Sequence, residues 1–212
     1  MTRLNNPVLV LGGGGHSLSV MDALMSSGEE IAGVLDSAYI VGQRVFGDIC
    51  ILGEDSMLGL SFDPNDYRIA VGVGPKPKSS VTADLFKKIS KMNFEFAPVR
   101  HSSATVSEHA VLSLSSQILA GVIIQPGASL GAGSVLNTGA SLDHGVSIGD
   151  HVHVGPGAVL CGDVSVKEGA YIGAGAVLFP GITIGEHAIV GAGTTVKTNV
   201  KAEAVVYGFH ND

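Results

Sequence analysis

Tryptophan is missing from this 212-residue chain, aromatic residues of all kinds make up only 5% of it, and there are two cysteines. Each scarcity excludes something. A sequence that is 45% apolar yet nearly without large rings has to build a narrow, regular core from aliphatic side chains. Cys50 and Cys161 stand far apart, which offers neither a disulfide framework nor the close spacing of metal ligands, and a reducing cytoplasm is the expected compartment. Positive charge is short as well. Lys and Arg total 12 against 19 Asp and Glu, a formal charge of −7, so no basic field draws in nucleic acid or an anionic membrane. No apolar run approaches the ~20 residues of a membrane span, and the run from Pro7 to Leu11 is too short for a secretory signal. No membrane insertion is expected.

What is abundant is glycine, 30 residues in all, about twice the ~7% average usage and concentrated after residue 120. They punctuate a period of six. From Val106 through Leu112 and Ile118 to Val190 and Val196, every sixth residue is aliphatic, sixteen in succession, and four places after each of the first fifteen comes a small or β-branched residue, from Ala110 to Thr194. A helix wants apolar spacings of three and four, and a strand alternates every two. If each hexad is one short strand and a turn, both marked residues point inward and glycine bends the chain at low steric cost. Three hexads close one triangular coil, and coils stack at the ~4.8 Å strand spacing into a parallel β-prism. A disordered glycine-rich segment has no reason to keep that register.

The first half follows other rules. Residues 7–11 form an apolar strand, Gly12 to Gly15 a turn, His16 to Ser27 a helix with Leu18, Met21, Leu24 and Met25 on one face, and Ile31 to Leu35 a second strand ending at Asp36. A glycine loop between strand and helix presents backbone N–H groups and a helix N-terminus to a phosphate. The dinucleotide fingerprint is incomplete, since Ser17 stands where its third glycine belongs. The same glycines would equally serve close packing of helix on strand. Asp36 sits where an acid can hold a ribose. A further strand is expected from Tyr67 to Val73, then a loop with Lys76 and Lys78 that either touches phosphate or is solvated, and a helix from Ala83 to Lys91. The expected division is residues 1–98, a Rossmann-like nucleotide-binding α/β domain too short for two mononucleotide halves, and 99–212, the prism.

The Gly-Gly-His turn, the aspartate after strand two, Gly72 closing the later strand and the unbroken hexads make residues 7 to 207 similar to the sugar O- and N-acyltransferases of the sialic-acid O-acetyltransferase type. These include enzymes that acetylate the 4-amino group of nucleotide-linked amino-deoxy sugars. The most specific match runs from Leu136 to Gly157. The resemblance implies a left-handed β-helix, a homotrimer, acetyl-CoA as co-substrate and no metal. It implies that His144 is the general base and that His153 contacts acetyl-CoA, with Ala174 and Ala192 further along the cofactor. It also implies that Gly14, Gly15, His16, Asp36 and Gly72 line the sugar-nucleotide site, in the service of polysaccharide biosynthesis. The family usually places Asp or Glu directly after the base; this chain has Gly145, with Asp143 on the other side as the candidate acidic partner.

Acyl transfer from a thioester needs a group that removes a proton as the nucleophile attacks, and donors for the developing oxyanion. His144, third in its hexad and next to a glycine, points out of the core, and a neighbouring glycine N–H is a candidate oxyanion donor. His101, His109, His187 and His210 have no motif around them and are read as solvated. Three other readings stand beside an N-acetyltransferase. O-acetylation of a sialic-acid type sugar uses the same base. A zinc enzyme of the γ-carbonic-anhydrase kind needs three converging imidazoles, whereas His151 and His187 are two coils, ~9.6 Å, apart. A non-catalytic trimeric scaffold needs no base at all.

Overall fold

The computed structural model describes residues 6–210 and divides into two compact units: residues up to Gly74 together with Ser80–Ser102, and Pro75–Ser79 with the chain from Ser103 onward.

The first unit is a six-stranded sheet with two helices. Its centre is β1 (Val8–Leu11), all four residues buried, flanked by parallel β2 (Ile31–Leu35) and by a strand at Arg68–Val71. A hairpin of β3 (Arg44–Phe46) and β4 (Ile49–Gly53) extends the β2 edge, with β3 antiparallel to β4. On the opposite side β5 (Arg68–Val71) pairs with a short β6 (Glu95–Phe96). Helix α1 (Gly15–Ser26) buries Ser17, Val20, Met21, Ala23 and Leu24. Leu18 and Met25, expected on that face, are both exposed. The inward stripe is Ser17, Val20, Met21 and Leu24, the i, i+3, i+4, i+7 set; its first member is polar, which hides it from an apolar pattern. Helix α2 (Val81–Lys91) begins two residues before the expected start and buries Phe86 and Ile89.

The second unit is the prism. Its strands are two residues long and recur every eighteen, each pairing in parallel with the strand one coil on: Ser129 with Ser147, Ser141 with Val159, His153 with Tyr171. Three faces result. The first carries Gln117–Ile118, Val135–Leu136, His153–Val154, Tyr171–Ile172 and Ile189–Val190. The second carries Ile123–Ile124, Ser141–Leu142, Val159–Leu160 and Val177–Leu178, and the third Ser129–Leu130, Ser147–Ile148, Ser165–Val166 and Thr183–Ile184. From Ile118 to Val196 every sixth aliphatic residue is buried; Val106 and Leu112, in the first coil, are half-buried. Where the small inward residue is serine, its hydroxyl donates to a turn carbonyl, as Ser134 does to Gly131 at 2.8 Å. That removes the cost of burying it. The last coil is shorter, pairing Ile189 with Val205 and Ile184 with Val200.

The turns explain the glycines. From Gly121 to Gly193 each sixth residue has a positive φ, and the only side chains tolerated in that column are His151, Asp163 and His187. Glycine takes the left-handed conformation without the Cβ penalty, and Asp and His are among the less penalised alternatives. Leu142 is fully buried, so Leu142→Ala should cost about 2–5 kcal/mol by leaving a cavity. Enlarging a buried small position, Ala158→Leu, should destabilise by at least about 1–3 kcal/mol through overpacking. Thermal and denaturant unfolding measure both; a wild-type midpoint for either variant would contradict the packed-prism account.

Candidate active site

In the first unit the glycine loop is built around Asp36. One carboxylate oxygen accepts the Gly13 N–H at 2.7 Å and the other accepts the Ala38 N–H at 2.8 Å. The acid at the end of β2 therefore holds the loop and its own turn in place. Gly14 is the N-cap of α1, and Gly14 and Gly15 are exposed with open space where a side chain would stand. The helix N-terminus is thus uncovered, as an approaching anion requires. Ser17 replaces the third glycine of the fingerprint without loss, because its side chain is buried and its hydroxyl turns back to the Gly14 carbonyl at 2.6 Å. His16 is half-buried and packs on Gly74. Gly72 is buried, and a methyl there would fall 2.8 Å from Ser17 Cβ, so its smallness is explained by packing. Beside the loop lies a cavity of about 340 Å³ lined by Gly12, Leu35, Asp36, Val73, Leu85 and Lys88. Lys76 and Lys78 are exposed.

In the prism, His144 stands at the corner between the second and third faces, where the chain turns from Ser141–Leu142 to Ser147–Ile148. Its backbone is pinned on both sides. Its N–H donates to Asp143 Oδ1 at 2.7 Å, and its carbonyl accepts the Asp163 N–H from the next coil at 2.9 Å. Asp143 is thereby engaged with backbone. Gly145 donates its N–H to the Pro126 carbonyl at 3.2 Å, so that amide belongs to the coil stack rather than to an oxyanion. The imidazole is exposed and lies over Gly162, one coil further on: a methyl added to Gly162 would fall 2.6 Å from Nδ1 and 2.9 Å from Nε2. Gly162 has no positive φ. Its lack of a side chain answers to space, and the space is filled by the His144 ring.

The remaining predicted residues lie elsewhere on the triangle. His153 is in the first face, 6% exposed, its ring stacked on Tyr171 at 4.5 Å between centroids. Ala174 and Ala192 are exposed turn residues, one coil apart, at the corner between the first and second faces. Within one chain His144 and His153 therefore occupy separate parts of the prism. His151 and His187 share a turn column with Gly169 between them, and His187 leans over that glycine. No group of three or more metal-binding side chains occurs among the described residues. His109 and His187 are exposed, but His101 is not simply solvated: it is half-buried with Nε2 3.3 Å from Asp22. The His210 side chain, expected to be solvated, lies outside the described ones. Sequence reading missed Gly162, although setting out residues at intervals of eighteen from Pro126 (Pro126, His144, Gly162, Pro180) exposes the one position left without a side chain.

The PglD N-terminal domain family matches residues 7–87, and the bacterial transferase hexapeptide family matches residues 145–180. No curated protein sequence gives a significant match. Among solved structures, a GDP-perosamine N-acetyltransferase from Caulobacter crescentus, a histidine-to-alanine mutant in complex with CoA and GDP-perosamine, is 31% identical. The match covers 96% of this chain and 94% of that one, with a TM-score of 0.88. The acetyltransferase domain of PglB from Neisseria gonorrhoeae, in complex with acetyl coenzyme A, is 27% identical over 96% of this chain and 97% of that one, also at 0.88. WeeI from Acinetobacter baumannii, at 22% identity and a TM-score of 0.75 over 95% of this chain and 96% of that one, shares the fold. A glycine-loop α/β unit and a coil stack carrying an outward imidazole, matched along almost the whole chain, mark this protein as a member of the left-handed β-helix sugar acyltransferases.

Proposed function

We propose that the protein transfers the acetyl group of acetyl-CoA to the 4-amino group of a nucleotide-linked amino-deoxy sugar, with His144 as general base. The observation that carries this is the His144 ring, exposed at a prism corner and seated in the space left by Gly162. The uncovered N-terminus of α1 beside Asp36 supplies the means to hold a diphosphate and its nucleoside. The Caulobacter enzyme was crystallised with a nucleotide-linked sugar and CoA, and the Neisseria domain with acetyl coenzyme A. Both are named as acetyltransferases, and the Caulobacter enzyme as an N-acetyltransferase, which favours an amine over a hydroxyl acceptor.

The chemistry is a direct attack. The neutral amine adds to the thioester carbon, the carbon–sulfur bond breaks, and the CoA thiolate leaves. The proton from nitrogen passes to His144 and on to the thiolate, giving an amide and the free thiol. No covalent acyl-enzyme is needed. A cyclic homotrimer belongs to the proposal: with His144 at one corner and His153 on the first face, a cofactor reaching both imidazoles fits two neighbouring prisms better than one, and threefold closure is an ordinary symmetry. A cytoplasmic setting fits the two free, half-buried cysteines, Cys50 and Cys161. No helix among the described residues is long and apolar enough to cross a membrane.

Thiol release from acetyl-CoA in the presence of UDP-, dTDP- and GDP-linked 4-amino sugars tests the reading. At least one acceptor should yield an N-acetylated product by mass spectrometry; thiol release with none of them, or acetylation only of hydroxyls, would count against it. His144→Ala should lower kcat by about 10²–10⁴-fold with an unchanged melting temperature, and near wild-type turnover would remove His144 from the role. Gly162→Ala should lower kcat more than it raises either KM, because the methyl takes the place of the ring while the backbone conformation there is open to any residue. Unaltered kcat in that variant would mean the ring position is irrelevant to turnover.

A further inference from the structure

The chain lacks an acidic residue directly after His144, and Asp143 is turned to its neighbour's backbone N–H. We infer that Asp163, from the next coil, is the positioning carboxylate of the His144 imidazole, entering through the space that Gly145 leaves open. This rests on the reading of His144 as the base.

Two reciprocal gaps carry the inference. Residues 144 and 145 lie one coil below 162 and 163, in neighbouring turn columns. The His144 ring reaches up and occupies the side-chain space of Gly162. Asp163 reaches down and occupies the side-chain space of Gly145, where an added methyl would meet Oδ1 and lie 3.3 Å from Cγ. Each of the two functional groups thus stands beside the chain neighbour of the other. A carboxylate on residue 145 itself would contend with Asp163 for one volume, so glycine at 145 and aspartate at 163 are two halves of one arrangement. The Asp163 N–H bond to the His144 carbonyl at 2.9 Å fixes the relative height of the two residues.

Asp163 is also an exception among the turn residues that recur every sixth position. Its φ is +60°, in a series that is otherwise glycine apart from His151 and His187. Asp tolerates this conformation better than most residues but still less freely than glycine. In the structure no hydrogen bond between the Asp163 carboxylate and the ring occurs among the described contacts, and both side chains are exposed. On this inference the carboxylate turns to the ring when substrates bind, as catalytic hydrogen bonds often tighten only then. Opposite the ring, Asp163 does two things: it orients the imidazole and opposes the positive charge the ring acquires as it takes the amine proton. The net reaction is unchanged, and Asp163 neither gains nor loses a proton.

The test is relocation of the carboxylate in the full-length protein. An opposite charge within about 4–6 Å favours a charged form by roughly 10- to 1000-fold, the lower end applying to solvent-exposed groups, so Asp163→Asn should lower kcat by about 10–100-fold. KM for acetyl-CoA and acceptor should stay within about twofold, with the melting temperature unchanged. Asp163→Gly, which keeps the backbone of the column, should behave alike. In a His144→Ala background Asp163→Asn should have no further effect. The double variant Gly145→Asp with Asp163→Gly, which returns the acid to the residue after the base and empties the space it needs, should recover most of the lost kcat. Wild-type kcat in Asp163→Asn, an equal loss in the His144→Ala background, or no recovery in the double variant would overturn the inference. Those outcomes presuppose an active wild type; inactivity of the wild type toward the whole acceptor panel would instead sink the reading of the function, and this inference with it.

Discussion

The stack of coils depends on one constraint: each backbone N–H of a two-residue strand must find a carbonyl eighteen residues or so along the chain. Ser129 N–H to the Val146 carbonyl at 2.8 Å and Ser147 N–H to the Val164 carbonyl at 2.8 Å are successive examples. An unpaired backbone group in a buried setting is costly, so no coil can lengthen or shorten without disturbing the next. That lock fixes height along the prism. It is why a side chain at residue 144 can be matched with a vacancy at residue 162, and why the vacancy and the side chain stay aligned without any bond between them.

Much of this was legible because the prism is a one-dimensional repeat. The aliphatic residues at sixfold spacing mark the inward positions, and every one from Ile118 to Val196 is buried. The glycines of the turn column follow from the same period, since the left-handed conformation recurs wherever the triangle bends. The first unit was harder. Its central strands announced themselves as apolar runs, but the β3–β4 hairpin and β6 are two to five residues long, half-exposed in large part, and carry too few residues for a period to register. In α1 a buried serine disguised the inward stripe; only its bond to the Gly14 carbonyl makes that burial inexpensive.

The candidate site was partly legible in the same sense. His144 and the glycine loop stood out by local pattern. Asp163 did not, because its relation to His144 runs between coils, and the missing acid after the base drew the eye to the residue before it, Asp143. In the fold Asp143 caps backbone, while the carboxylate that fills the space at Gly145 belongs to Asp163, nineteen positions after His144. A repeat protein reads as columns as well as rows, and the proposed pairing joins two neighbouring columns. The first unit holds a complementary lesson: Asp36, expected from the sequence to hold a ribose, is the strut of its loop, with both oxygens engaged.

The most direct measurement is a crystal structure of the protein with CoA and a nucleotide-linked 4-amino sugar bound together. The account predicts the sugar amine within hydrogen-bond reach of the His144 imidazole, about 2.6–3.2 Å or one water away, with the CoA sulfur beside it. An amine and a sulfur that meet anywhere other than at the His144 corner would contradict it.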